Sequence, residues 1–232
     1  MFSVIIPTHN EEKRIYATLA RLLSFLRTNY AARFEVIVID DGIDSTEKIV
    51  SRFAAQKKNN LSLRHFSTRI GKGGAIMKGI RFARGQFCIT YDADAAVPPK
   101  EIPGMLDALK SSDIVVGSRA VENAVIVGRV PLRRRFASRA FSLVVGFLFR
   151  LGVRDTQCGF KGFRRKRILP LLPRLHRTGF EWDVELLVKA KKAGLRLKEI
   201  PVEWHHKKEG KVVLRDVGRM LEGVLALKRE IG

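Results

Sequence analysis

The sequence predicts a doubly wound α/β domain built on one mainly parallel sheet. Three observations predict it: short apolar runs recur through the first half, helical patterns separate them, and the residues just after the runs are consistently polar. The runs are Phe2 to Ile6, Phe34 to Ile39, Leu61 to His65, Phe87 to Tyr91 and Ile114 to Val116. Near-continuous apolar runs of this length read as buried strands of a parallel sheet. Between the first two, Ile15, Leu19, Leu22, Leu23 and Leu26 fall on one helical face, with Asn10 as the expected N-cap and Glu11 and Glu12 in the first turn. Further helices are expected around Ile49, Val50 and Phe53, over Ala75 to Ala83, and around Ile102, Met105, Leu106 and Leu109. After Arg119 the pattern changes. A basic stretch with Arg133, Arg134 and Arg135 leads into an apolar helix, then a second basic run, Arg164 to Arg167. A strand ending near Trp204 and an amphipathic helix carrying Val217, Met220, Leu221, Val224 and Leu225 close the chain.

Residues 1–232 read as a single domain without internal repeats or low-complexity tracts. Lys and Arg number 44 against 23 Asp and Glu, a net charge of +21. That excess suits a nucleic acid, an anionic membrane surface or a phosphate-rich substrate, and also a merely basic solvated surface. Cys88 and Cys158 lack the further ligands of a zinc site and fit a reduced, cytosolic compartment. Phe2 to Ile6 already reads as a strand, so no signal peptide is expected. The longest apolar stretch, Ala140 to Val153, is interrupted by Arg150 and is shorter than the ~20 residues of a spanning helix. Its Phe141, Leu143, Val144, Phe147, Leu148 and Phe149, preceded by Phe136 and flanked by Arg139 and Arg150, suit a helix lying on a lipid surface. A buried core helix or a dimer helix suits the same pattern.

Ligands of open α/β sheets bind beyond the carboxyl ends of the strands. Four such ends stand out here: Pro7-Thr8-His9-Asn10-Glu11, Asp40-Asp41-Gly42, Asp92-Ala93-Asp94 and Gly117-Ser118-Arg119. Asp92 and Asp94 put two carboxylates within reach of one hard cation, Mg²⁺ or Mn²⁺, with positions left for phosphate oxygens. Asp40 and Asp41 suit hydrogen bonds to a base or ribose, or a cap on the helix that follows. Gly71-Lys72-Gly73-Gly74-Ala75 opens a helix where Lys72 and the helix N-terminus favour a phosphate, although close packing on the sheet also explains the glycines.

Together these pieces resemble the inverting family 2 glycosyltransferases, specifically the dolichyl-phosphate glucose and mannose synthases, over nearly the whole chain. Ser3 to Glu12 resembles the family's opening strand, Val38 to Gly42 its base-binding loop and Asp92-Ala93-Asp94 its metal motif. Arg154-Asp155-Thr156-Gln157-Cys158-Gly159-Phe160-Lys161 and Phe180-Glu181-Trp182-Asp183-Val184-Glu185-Leu186-Leu187 resemble the glucose branch more than the mannose branch. The resemblance implies a GT-A fold, with residues 1–119 holding the nucleotide sugar and residues 120–232 facing the acceptor and the membrane. It implies nucleoside contacts from Pro7, Glu11 and Asp41 and contacts from Asp92 and Asp94 to the diphosphate-bound metal, and Asn10, Asp40, Lys72 and Ala93 are expected beside them as substrate-binding residues. It further implies Arg119 near the acceptor phosphate, and Gln157 and Trp182 are also expected to bind the substrates. Ile43 stands where the family usually has Ser, and Ala95 and Ala96 follow the metal motif where many members are polar.

The implied reaction is hexose transfer, with glucose from UDP-glucose favoured, onto a dolichyl or other polyprenyl phosphate at the inner face of a membrane. Because a phosphate monoester has its second pKa near ~6, it arrives already anionic, and the site needs positive charge more than a strong base. Arg119 and Arg133, Arg134 and Arg135 are the expected clamp, although a solvated loop also explains the triple arginine. Asp155 is the expected catalytic carboxylate, as base or orienter, alongside Arg119 and Asp94, whereas Asp183 and Glu185 suit a supporting network at a helix start. The segment Trp204 to Lys211 reads as a basic lid over the diphosphate, with Lys211 as its reaching cation, rather than as a histidine metal site. Competing readings are mannosyl transfer from GDP-mannose, transfer to a sugar hydroxyl, a nucleotidyltransferase and a basic nucleic-acid-binding protein. The last does not explain carboxylates gathered at strand ends.

Overall fold

The first strand, β1 (Phe2–Thr8), is the centre from which the sheet winds outward in two directions. In the computed structural model, which describes residues 1–56, 59–179, 181–207 and 214–231 without the side chains of 132–139, 214–221 and 231, seven strands form one sheet. On one side of β1 lie β2 (Phe34–Asp40) and β3 (Leu61–His65), both parallel to it. On the other lie β4 (Phe87–Thr90), β7 (Lys161–Arg164), β5 (Ile114–Ser118) and β8 (Leu197–Pro201), in that order. Strand β7 alone is antiparallel to its neighbours. The chain leaves β1 toward β2 and returns to β4 on the opposite side, which makes the carboxyl ends of β1 and β4 the switch point of the sheet.

Apolar residues alternate between the faces of the central strands, as a sheet covered on both sides requires. Val4 and Ile6 pack toward Leu19, Leu22 and Leu26 of α1 (Ile15–Tyr30) and Met105 of α4 (Ile102–Ala108). Ile5, Ile37 and Ile39 pack toward Ala75, Ile76 and Ile80 of α3 (Gly71–Phe82), with α5 (Leu132–Phe149) and α7 (Trp182–Lys192) beyond. The remaining helices are α2 (Thr46–Ala54), the short α6 (Arg165–Ile168) and α8 (Leu214–Ile231). A two-stranded ribbon, β6 (Val125–Val127) with β9 (Glu203–His205), stands apart from the main sheet.

Several expectations change. Asn10 is not an N-cap: it sits at φ 54°, and its Oδ1 accepts the Ile43 N–H at 2.9 Å, while α1 begins only at Ile15. Its amide closes a loop between two strand ends, which a left-handed Asn can do at low cost. The Leu61 to His65 run is an edge strand that is only half-buried. The segment toward Trp204 divides at Val202 into β8 and β9. Arg133, Arg134 and Arg135 lie in the first turns of α5 rather than in a loop, and α5 stops at Arg150, whose left-handed φ of 47° and N–H to Gly146 O close the helix. In α8, Val224 and Leu227 are buried and Leu225 is exposed, while Val217, Met220 and Leu221 lie outside the described side chains. No helix among the described residues is long and apolar enough to cross a membrane.

Candidate active site

Because β1, β2, β4 and β5 run parallel, their polar carboxyl ends collect along one edge of the sheet. Strand β7 runs the other way, so it is the beginning of β7 that reaches this edge, with Lys161 paired to Thr90 on one side and Val116 on the other. The segment 155–160 therefore arrives beside Asp92, about 65 residues from it in sequence. Thr90 Oγ1 fixes the approach by donating to Gly159 O at 2.6 Å and accepting from Lys161 N at 3.0 Å.

At the end of β2 both carboxylates are buried and engaged. Asp40 Oδ1 accepts from Thr8 Oγ1 at 2.7 Å, and its Oδ2 lies 2.9 Å from His65 Nδ1. Asp41 Oδ2 accepts the N–H groups of Ile70 and Gly71, both at 2.8 Å, and its Oδ1 lies 3.0 Å from His9 Nδ1. Asp41 thus sits on the N-terminus of α3, not on the helix that directly follows it in sequence. Gly71 has φ +73°, a conformation that glycine adopts without strain. Pro7 is half-buried at the end of β1, and Glu11, nearly buried, accepts from Arg14 at 2.7 Å while its N–H donates to Thr46 Oγ1 at 2.8 Å.

At the end of β4 the arrangement is different. Lys72, the second residue of α3, places its ammonium 2.8 Å from Asp92 Oδ1. Burial works against the charge of Asp92, but Lys72, Lys161 and Arg119 together hold its carboxyl below the ordinary value. Asp94 goes the other way: burial and then the charge of Asp92 raise it, against the Ala96 N–H that its Oδ1 accepts at 3.0 Å. The turn between them is tight, with Ala95 in the left-handed region at φ 48° and Ala93 O accepting from Thr18 Oγ1 at 2.7 Å. A methyl group at Gly159 would collide with the Asp92 carboxylate, so only glycine lets the 155–160 segment pass this close. Two carboxylates on one turn, one disfavoured by the other's charge, form an all-oxygen donor set that fits a hard divalent cation.

Asp155 and Arg119 form a forked ion pair, with Nε to Oδ2 at 2.7 Å and Nη2 to Oδ1 at 2.8 Å, and the Arg119 N–H adds a third bond at 3.0 Å. Burial opposes the charge on Asp155, yet Arg119 holds the carboxyl below its usual range. A carboxylate so engaged suits orientation of the guanidinium and not proton abstraction. Arg119 also stacks on Trp204, its guanidinium carbon 5.3 Å from the ring centre. Lys161 is fully buried and donates to Asp183 Oδ1 and Cys158 O, both at 2.6 Å. Glu185 accepts from the N–H groups of His176 and Arg177 and from Lys189, so Asp183 and Glu185 both brace the start of α7. Trp182 is buried against Gly73 of α3, and its indole N–H, like Gln157 Nε2 and Tyr91 Oη, has no partner among the described residues.

Of the expected residues, Pro7, Asn10, Glu11, Asp40, Asp41, Asp92, Ala93, Asp94 and Arg119 are carried at or just after the strand ends, Lys72 comes from the start of α3 and Asp155 from the segment that leads into β7. The side chains of Arg133, Arg134 and Arg135 and the whole of Lys211 lie outside the described residues. The second basic run is partly committed to the frame, with Lys166 and Arg167 exposed. Arg164 donates to the carbonyls of Leu109, Lys110 and Ser112 after α4, Arg165 donates to Ile80 and Arg81 at the end of α3, and Arg167 pairs with Asp113. His205 is turned to Glu203, with Nε2 2.6 Å from Oε1. Sequence reasoning quoted His9, Gly159 and Lys161 only within longer motifs, without a role of their own, and Trp204 only as part of a lid. A lysine beside a basic run signals solvent, and only the ladder of β7 places this one indoors.

Comparison with known proteins places the chain in a family. The chain is 34% identical over 231 residues to the dolichyl-phosphate beta-glucosyltransferase of Saccharomyces cerevisiae, covering 91% of this chain and 69% of that one. The Homo sapiens protein of the same name is 33% identical, with 91% and 69% covered. The glycosyltransferase AglD of Haloferax volcanii is 35% identical, covering 93% of this chain but 35% of that longer protein. Among solved structures, glucosyl-3-phosphoglycerate synthase of Mycobacterium tuberculosis superposes with a TM-score of 0.71 at 17% identity, over 98% of this chain and 78% of that one. That likeness carries the GT-A fold. The family model described as Glycosyl transferase family 2 matches residues 3–169, and the chain accordingly belongs to the family 2 glycosyltransferases, as a hexosyltransferase.

Proposed function

We propose that this glycosyltransferase moves glucose from UDP-glucose to a dolichyl or related polyprenyl phosphate with inversion, using Mg²⁺ or Mn²⁺ held by Asp92 and Asp94. The observation that carries the reading is the set of three cation–carboxylate pairs gathered at one sheet edge: Lys72–Asp92, Arg119–Asp155 and Lys161–Asp183. Such a site is built to hold anions close together. The glucosyltransferase relatives carry glucose and dolichyl phosphate in their names, and solved neighbours hold Mn²⁺ with UDP-glucose.

On this reading residues 1–119 bind the donor, with Pro7, Asn10, Glu11 and Asp41 around the nucleoside and Asp40 supporting that loop from within. Lys72 and the N-terminus of α3 face the diphosphate. Asp92 and Asp94 would hold the divalent cation, which would supply positive charge to the departing diphosphate. An acceptor phosphate oxygen forms the new bond to the anomeric carbon as the bond from that carbon to the diphosphate oxygen breaks, and the electron pair leaves with UDP. No proton need be taken from a nucleophile that is already anionic. Asp155 orients Arg119 through Nε and Nη2, Arg119 grips the acceptor phosphate with Nη1, and Arg133, Arg134, Arg135 and Lys211 add cations from residues 120–232. Trp182 and Gln157 offer their buried N–H groups to the substrates.

The protein works at the cytoplasmic face of a membrane on this proposal. Leu143 and Phe147, one turn apart on α5, are 74% and 84% exposed, and Val125, Ile126 and Val127 of β6 are exposed as well. The two free cysteines, both buried, accord with a reducing compartment. The test is transfer of label from UDP-glucose or GDP-mannose to a short polyprenyl phosphate or the matching alcohol, with and without chelator. A lipid-soluble product from UDP-glucose and the phosphate alone, lost in chelator, is expected. If the alcohol is the better acceptor and Asp155→Asn is more damaging than Asp94→Asn, the acceptor is a hydroxyl and the proposal fails.

A further inference from the structure

Lys72 and a divalent cation have the same address. The Lys72 ammonium lies 2.8 Å from Asp92 Oδ1 and feels the charge of Asp94 as well, so it already sits beside the two carboxylates that would hold the cation. Its position is not accidental to a loose side chain. The start of α3 is held by two N–H bonds to Asp41 and by Gly73 N–H to Thr178 O at 2.8 Å, and Gly73 lies against the Trp182 ring. The helix start is therefore fixed, while the four-carbon stem of the lysine, 26% exposed, can swing from it.

A divalent cation binds carboxylate oxygen at roughly 2.1 Å. An ammonium and such a cation on one oxygen would stand only a few ångströms apart and repel strongly in a half-buried site. We infer that Lys72 and the divalent cation compete for Asp92, and that Lys72 passes from Asp92 to the donor diphosphate when cation and nucleotide bind together. This rests on the reading that Asp92 and Asp94 hold the metal. Lys72 then has two partners of the same charge in succession, and the exchange couples the binding of metal and nucleotide: each makes room for the other. A lysine placed only to bind phosphate would leave metal affinity untouched in the absence of nucleotide.

The test is Mn²⁺ binding to the whole protein, measured by titration calorimetry and by the loss of free-Mn²⁺ electron spin resonance, with and without UDP. Wild type, Lys72→Met, Lys72→Gln and Asp94→Asn are compared at low and at raised salt, after thermal melts establish that each is folded. Wild type is expected to bind Mn²⁺ weakly alone and more tightly with UDP. Lys72→Met and Lys72→Gln should bind Mn²⁺ alone about tenfold more tightly, within the usual span of a coupling between two sites, and UDP should then tighten it little. The gain should persist at raised salt, because a contact competition is screened far less than distant charge removal. If both lysine variants keep the wild-type coupling, or bind Mn²⁺ alone no better, the competition is refuted while the metal site stands. If Asp94→Asn binds Mn²⁺ as well as wild type with UDP present, the metal reading itself falls, and the competition with it.

Discussion

At the end of β2, Asp40 and Asp41 meet a hydroxyl, two histidine nitrogens and two backbone N–H groups, and their four oxygens each have a neighbour within 3.0 Å. At the end of β4, Asp92 meets the Lys72 ammonium and lies against Gly159, and Asp94 accepts one backbone N–H. The same residue type, at the carboxyl ends of the two strands that flank β1, does opposite work. The first pair ties loops and helix α3 to the sheet. The second is left under mutual repulsion, which added positive charge relieves.

The largest effect separating the two should come from Asp94→Ala, for which turnover falls by roughly a thousandfold, as when a group stabilising transition-state charge is lost. Its melting temperature should hold or rise, since a repelled charge has gone. Asp41→Ala should show the reverse weighting. It strips the acceptor from two N–H groups at the start of α3 and should cost about 1–3 kcal/mol of stability, read in urea unfolding. If Asp41→Ala unfolds like wild type, the division between a building pair and a working pair is wrong.

Next in size is Gly159→Ala. The new methyl must push Asp92 aside, and a displacement of about 1 Å in a positioning group can lower turnover by roughly a hundredfold. Cooperative unfolding should be retained, and unchanged turnover would mean that Asp92 is not held by this approach. Unfolding free energies of wild type and Asp94→Asn across acid to neutral pH give a smaller effect with a definite sign. The folded carboxyl of Asp94 is raised, so its contribution is fully present below the unfolded value of about 3.9 and is lost as pH rises through the folded value. Wild type should therefore lose stability relative to Asp94→Asn over that window, and a difference that grows toward acid would contradict the repulsion. Least of all, Ala95→Gly relieves a left-handed alanine but loosens the unfolded chain, and the two nearly cancel to within about 1 kcal/mol in thermal melts.

The expectations that survived were those carried by many residues at once. Five positions of α1, Ile15 to Leu26, are buried at helical spacing, and the runs of β1, β2, β4 and β5 are strands of the main sheet. Those that changed rested on single residues or on short polar stretches. Asn10 fitted a helix cap by type but serves as a left-handed bridge to Ile43. The second basic run was left without a role by its sequence, and in the fold Arg164 and Arg165 cap the helices behind the sheet. Strand β7 offered no periodic signal, because Lys161, Gly162 and Arg164 leave Phe163 as its one apolar side chain.

By itself, then, the sequence determined the parallel α/β frame and the placing of Asp40, Asp41, Asp92, Asp94 and Arg119 at strand ends, because hydrophobic periodicity and chain direction are local properties. Which cation answers which carboxylate was decided only in three dimensions. Lys72 reaches Asp92 because α3 starts where Asp41 anchors it, and Lys161 reaches Asp183 because an antiparallel strand enters between β4 and β5 with its first residue at the active edge. The physical reason is burial. Lys161, Asp155 and Asp183 are withdrawn from water, where a charge persists only beside a partner, and partners tens of residues away in sequence are supplied by the register of the sheet.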